Sequence, residues 1–197
     1  GAICMKAAAP PLYWKWQSGR FHEEERSGLM KSLAKELMQK THRSDLRSRD
    51  RAAGTAVPAG FEVVEAWRIE NSELWSSYAQ KCHEIQAKGC KTHQIKTTPE
   101  LSRAVQNQLN EAANEVYLFH GTSLASARSI ARTNFQIDLA GSSTGASFGK
   151  GAYFAERSTK SDEYSAKYSD ASGTHAMLLC RVCLGEVYAL PDYDKRG

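Results

Sequence analysis

Three short segments hold side chains whose types and spacing can do chemistry. In Leu118-Phe-His120-Gly121-Thr122 an apolar strand runs into a histidine, a glycine and a hydroxyl residue. Glycine lets a ligand approach the backbone closely and use its N–H and C=O groups. A histidine at a strand end can bond a sugar hydroxyl. In Ser147-Phe-Gly149-Lys-Gly151-Ala-Tyr153-Phe-Ala155, two glycines feed a short strand. Tyr153 and Phe154 point to opposite faces there, so one ring can look into a cleft while the other packs in the core. The glycines match neither the dinucleotide fingerprint nor a P-loop, because no strand-then-long-helix context surrounds them. In Ser158-Thr-Lys160-Ser161-Asp-Glu-Tyr164, Ser161 and Tyr164 are i, i+3 neighbours on one helix face. A hydroxyl and an aromatic face side by side could hold a planar, amide-bearing ring. Each segment alone has a plainer reading: a structural histidine, a turn before a core strand, and a capped surface helix with Tyr164 in the core.

Taken together and in order, the three segments resemble the signature of the poly(ADP-ribose) polymerase superfamily, the diphtheria-toxin-like ADP-ribosyltransferases. That signature is an apolar strand into His-Gly-Ser/Thr, then Phe-Gly-x-Gly-x-Tyr-Phe-Ala, then Ser/Thr-Lys-Ser-x-x-Tyr. The stretch from Val63 to Tyr78, with Trp67-Arg-Ile-Glu-Asn71, is similar to the entry of that domain, as is Leu178 to Gly185 to a later strand. The resemblance spans roughly residues 61–190.

The resemblance implies an NAD+-dependent ADP-ribosyltransferase that releases nicotinamide and passes ADP-ribose to an acceptor, protein or nucleic acid. NAD+ is the co-substrate, and no metal is implied. The nicotinamide–ribose bond breaks through an oxocarbenium-like state, as in glycoside cleavage. By resemblance, Gly121 holds the nicotinamide carboxamide through its backbone and Ser161 adds a hydroxyl bond. Tyr153 and Tyr164 sandwich the ring. His120 bonds ribose hydroxyls, and Thr122 assists on the adenosine side. His120 and Tyr153 are the catalytic pair visible in this sequence.

The third catalytic position of the family lies on a late strand. Polymer-forming members carry glutamate there, and several mono-transferring members carry an apolar residue. The sequence stops at Gly197, before that strand, and Glu186 belongs to an earlier one. The expectation is a C-terminally incomplete catalytic domain. If the last strands were truly missing, NAD+ binding with poor catalysis would follow. An arginine that some members use on the adenosine side has no clear counterpart; Gln136 lies in that neighbourhood. Two rivals follow: a catalytically silent NAD+ or ADP-ribose-binding module of the same fold, and a basic nucleic-acid interaction module.

The elements that must position these residues are legible in part. The chain has 197 residues, 41% apolar and 24% charged, which suits a globular protein and excludes a collagen or a disulfide knot. No apolar run approaches the roughly 18 residues of a membrane span, so no membrane partner is expected. The net charge of +4 is too weak an excess to establish nucleic-acid binding. The five cysteines are odd in number and irregularly spaced, as for free thiols in an intracellular protein, cytoplasmic or nuclear. Cys180-Arg-Val-Cys183 is a single pair inside an apolar strand, and Cys82, His83, Cys90 and His93 fit no standard zinc spacing.

Residues 1–60 read as an N-terminal arm, a helix and a basic linker, and residues 61–197 as the catalytic domain. Tyr13-Trp14-Lys15-Trp16 is either a recognition surface or packs on the domain. Leu29, Leu33 and Leu37 place a helix over Arg26 to Gln39. Lys40 to Arg51, with five basic and two acidic residues, reads as a solvated charged face. Phe61, Val63, Trp67 and Ile69 alternate as in a half-buried strand. Asn71 caps a helix striped by Leu74, Tyr78, Cys82 and Ile85 that ends near Gly89. A further helix follows Thr97-Thr-Pro-Glu100. Strands are expected at Val116 to Phe119, Ala152 to Ala155, His175 to Leu184 and Gly185 to Leu190, and helices after Leu124 and after a cap at Ser158 or Thr159. Helices first and short strands later give an α+β class, with split antiparallel β-sheets and flanking helices.

Overall fold

The computed structural model describes residues 9–15, 21–25, 29–91, 95, 103–139 and 149–190. Its elements run in the order β1 (His22–Glu25), α1 (Leu29–Thr41), β2 (Trp67–Glu70), α2 (Ser72–Lys88), α3 (Arg103–Gln106), β3 (Glu115–Gly121), α4 (Leu124–Thr133), α5 (Ser158–Ser165) and β4 (Met177–Cys183). Two antiparallel pairs, β1 with β2 and β3 with β4, make the split sheets of an α+β fold. The Gly141–Gly145 loop, Ser147, Phe148, His93 and most of the helix expected after Thr97 lie outside the described residues.

β3 is the organising strand. Val116, Leu118 and Phe119 bury its middle, and it pairs with β4 from Glu115↔Cys183 to Gly121↔Met177. On its other edge Phe119 and Ala155 exchange two backbone hydrogen bonds of 2.8 Å. The strand expected over Ala152 to Ala155 therefore reduces to one bridge. Phe119 reaches a buried cluster with Leu37 of α1, joined by Leu33, Met38, Tyr117 and Met177.

α2 has the expected ends. The Asn71 side chain accepts a hydrogen bond from the Leu74 amide, and Gly89 at φ +70° closes the helix with its own N–H on the Gln86 carbonyl. Asn71 also donates to the carbonyls of Ala131 and Arg132, tying α2 to α4. The aromatic arm packs on the domain: Trp14 and Trp75 meet edge to face at 5.6 Å, and Tyr13 accepts from Arg181.

Several expectations change. β1 reads His-Glu-Glu-Glu, a run depleted in strand formers, yet it pairs along all of β2. The strand expected from Phe61 begins only at Trp67, whose ring is half exposed; buried Glu70 supplies the inward anchor by pairing with Arg68 and accepting from the Lys15 amide. Residues 185–190 form no strand: Gly185, at φ +61°, bonds Ala113 and receives Asn114. Among the described residues β4 pairs with β3 alone.

The basic segment departs furthest from expectation. Lys40, Arg43, Arg47 and Arg49 keep exposed side chains, as expected, but the segment is also docked along α5 through its backbone, Ser48 and Arg51. The Arg43 amide donates to Thr159 Oγ1 at 2.8 Å, and the Ser48 amide and hydroxyl donate to the two Glu163 carboxylate oxygens at 3.1 and 2.6 Å. Arg51 is almost wholly buried, 2.9 Å from Asp162.

Candidate active site

Two chain segments converge at the end of β3. The last residue of the strand, Gly121, faces the backbone of α5. A Cβ placed on Gly121 would fall 1.9 Å from the Ser161 carbonyl oxygen and 2.8 Å from its carbon. This glycine is required by close approach of two backbones. It sets β3 directly against the helix turn that carries Ser161.

The hydroxyls of α5 divide by role. Ser158 donates to the Met38 carbonyl at 2.8 Å, Thr159 accepts from the Arg43 amide, and Ser165 donates to the Ser161 carbonyl. The Ser161 hydroxyl has no partner among the described residues, although the residue is only 2% exposed. Its oxygen is not one of the sealed, unpartnered polar atoms of the described residues, so water or a ligand can complete it. The helix cap expected at Ser158 or Thr159 falls instead at Arg157, which makes no side-chain cap bond; both hydroxyls face α1 and the segment behind it.

His120 sits one residue before Gly121. Its Nδ1 lies 2.8 Å from the Tyr153 carbonyl. A carbonyl only accepts, so Nδ1 carries the proton, and in the neutral ring Nε2 is left as an acceptor. Phe135 meets the imidazole edge to face at 5.0 Å, and Phe154 lies tilted at 5.8 Å. Tyr153 is 38% exposed and donates its hydroxyl to the Gly149 carbonyl at 2.6 Å. Phe154 thus turns toward the aromatic cluster while Tyr153 turns out. Thr122 follows the strand, and Ser123 caps α4 by accepting from the Ser126 amide at 3.0 Å.

Tyr164 lies further round α5. Its hydroxyl donates to Asp50 Oδ2 at 2.7 Å, and the Lys160 ammonium stands 5.1 Å from the ring centroid. It borders a cavity of about 330 Å³ that is also lined by Asp50, Thr55, Glu163 and Lys167. His120, Gly121, Tyr153 and Ser161 do not line that cavity. The structure therefore brings Gly121 to Ser161 and His120 to Tyr153, and gives Tyr164 its own contacts with the 50–55 segment.

Sequence reasoning missed the charges beneath the helix. Arg51 pairs with Asp162 at 2.9 Å and lies 3.6 Å from Glu163, all three side chains being nearly inaccessible. His175 Nε2 reaches the other Asp162 oxygen at 3.0 Å. Burial alone would raise the Asp162 pKa, but its close pairing with His175 and Arg51 holds it below its ordinary value. The pairing with Asp162 raises the His175 pKa above its ordinary 6.5, against burial. A raised histidine pKa means the folded state binds the proton more tightly. Its stabilisation is complete below about pH 6.5 and fades as pH rises through the folded value. We therefore expect the melting-temperature gap between the native chain and His175→Asn to be widest in mildly acidic buffer. It should narrow well above neutrality, and thermal melts across that range check it. The Asp162 contribution runs the other way and is lost only in strong acid.

Among the described residues no group of three or more His, Cys, Asp and Glu side chains is placed to hold a metal, and no helix is long and apolar enough to cross a membrane. Cys180 on β4 is a half-buried thiol whose pKa burial pushes up to about 12.

The model of the poly(ADP-ribose) polymerase catalytic domain family matches residues 44–195, so this chain belongs to that family. The match begins inside the basic segment that docks on α5. Among curated relatives, a probable poly [ADP-ribose] polymerase of Dictyostelium discoideum is 31% identical over 129 residues, covering 64% of this chain and 32% of its own length. The protein mono-ADP-ribosyltransferases PARP12 and PARP14 of Homo sapiens are 34% and 30% identical, each over 64% of this chain. These matches cover 15% and 6% of the two human proteins, so the chain spans a third or less of the relatives it matches.

Proposed function

We propose that this chain forms the nicotinamide-gripping part of an ADP-ribosyltransferase, which cleaves NAD+ and passes ADP-ribose to a protein acceptor. The observation that carries this reading is the junction of Gly121 with Ser161: two backbones in contact, beside a nearly buried hydroxyl that no described residue satisfies. A planar carboxamide has one donor group and one acceptor. A strand-end glycine and a free hydroxyl offer both complements. His120 then bonds the ribose hydroxyls through Nε2, with Nδ1 fixed on the Tyr153 carbonyl. Tyr153 and Tyr164 flank the ring, and Thr122 lies toward the adenosine.

In the reaction the bond from the ribose C1′ to the pyridinium nitrogen breaks, and its electron pair leaves with nicotinamide. The acceptor oxygen, nitrogen or sulfur forms the new bond to C1′ and gives up its proton. Positive charge on the sugar rises in the transition state, as in glycoside cleavage. Fixing ribose and leaving group in line supplies much of the acceleration.

The test is incubation with labelled NAD+ and transfer to protein. Native chain should label, and His120→Ala and Tyr153→Ala should each label at least about a hundredfold less, the scale of a lost positioning group. Equal labelling by all three would overturn the assignment.

A further inference from the structure

We propose that Asp50 is a positioning residue for Tyr164, fixing the phenol against the nicotinamide ring from outside the three signature segments. This rests on the reading given above for Tyr164. A tyrosine on a helix has more than one staggered χ1 rotamer. A hydrogen bond at the far tip of the ring selects one of them. Here that bond is to Asp50 Oδ2, at 2.7 Å. The same oxygen accepts from Lys160 at 2.7 Å, and the ammonium then lies 5.1 Å from the Tyr164 centroid. Lys160 is further held by Glu163 at 2.8 Å and Ser48 at 2.6 Å. One face of the phenol is thus backed by a cation and its tip is anchored, so the opposite face is the one presented to a ligand.

Asp50 is itself held. Its amide donates to Ser48 Oγ at 3.2 Å, and Ser48 is bound to Glu163 through both amide and hydroxyl. The next residue, Arg51, is locked beneath α5 by Asp162 and by the Thr159 carbonyl at 3.0 Å. The carboxylate arrives at Tyr164 on a turn pinned on both sides. Its ionised form is favoured: the Lys160 hydrogen bond, opposed by partial burial and joined by the Tyr164 hydroxyl, lowers the Asp50 pKa. Pre-organisation of this kind raises affinity by removing the cost of ordering the ring on binding.

The test is the affinity of the chain for nicotinamide, with melting temperature recorded in parallel. Asp50→Ala and Tyr164→Phe should each weaken nicotinamide binding by about tenfold, the scale of one lost charge-assisted hydrogen bond. The double variant should be no weaker than the worse single one, because both changes delete the same contact. Asp50→Asn, which still accepts from the phenol, should lie nearer the native chain than Asp50→Ala. Additive losses would overturn the proposal. So would nicotinamide affinity within twofold of native in Tyr164→Phe, a readout available even if Asp50→Ala does not fold. Loss of binding in Tyr164→Ala without loss in Asp50→Ala overturns the positioning role and leaves the site intact. A native chain that binds no nicotinamide overturns the site and this inference together.

Discussion

Arg51→Ala should unfold or nearly unfold the domain, with a loss of about 3–5 kcal/mol in denaturant melts. Arg51 is the cation beneath α5, and both of its carboxylate neighbours are nearly inaccessible. Bringing such charges together gains little net energy, since desolvation offsets attraction. Removing one side alone is different, because it strands Asp162 and Glu163 as buried anions. His175 can still reach Asp162 and Lys160 can still reach Glu163, which limits the damage. Arg51→Lys keeps a charge but loses the fork that serves Asp162 and the Thr159 carbonyl, so it should fall between the two. If Arg51→Ala melts within about 1 kcal/mol of the native chain, the ion pairs are exposed surface contacts in solution and the description of α5 as charge-anchored is wrong. The functional consequence is direct, since the same helix carries Ser161 and Tyr164.

Gly121→Ala should abolish nicotinamide binding and transfer while costing about 1–3 kcal/mol of stability, the usual range for overpacking. The added methyl meets backbone atoms of Ser161, which cannot swing aside as a side chain can. β3 and α5 must therefore separate, and the carboxamide contacts separate with them. Gly151→Ala is the control, because among the described residues nothing lies within 4 Å of a Cβ there. It should melt within about 0.5 kcal/mol of native. Melting curves and nicotinamide titrations on the two variants check this together; equal affinity in both would remove Gly121 from the site.

The sequence shows the pieces that local chemistry determines. Asn71 and Gly89 mark the ends of α2 because a cap side chain and a positive φ are written in single residues. His120 and Gly121 fall at the end of a strand because the apolar run before them stops there. Contacts made at a distance leave no such mark. A stretch with four arginines looks solvated until Asp162 and Glu163, more than a hundred positions later, are seen to need a buried partner. The one available hint was that those acids lie inside a short helix beside two hydroxyls that also turn inward. β1 is invisible to periodicity because its glutamates are held by pairing with β2. Ala152 to Ala155 looks like a strand by composition, yet only Ala155 pairs with Phe119.

The central claim is that nicotinamide sits where β3 meets α5. A crystal structure of the chain soaked with nicotinamide tests it most directly. The carboxamide should bond the Gly121 backbone and Ser161 Oγ, with the ring between Tyr153 and Tyr164. Density for nicotinamide in the cavity between Asp50, Thr55 and Lys167, away from Gly121, would contradict it.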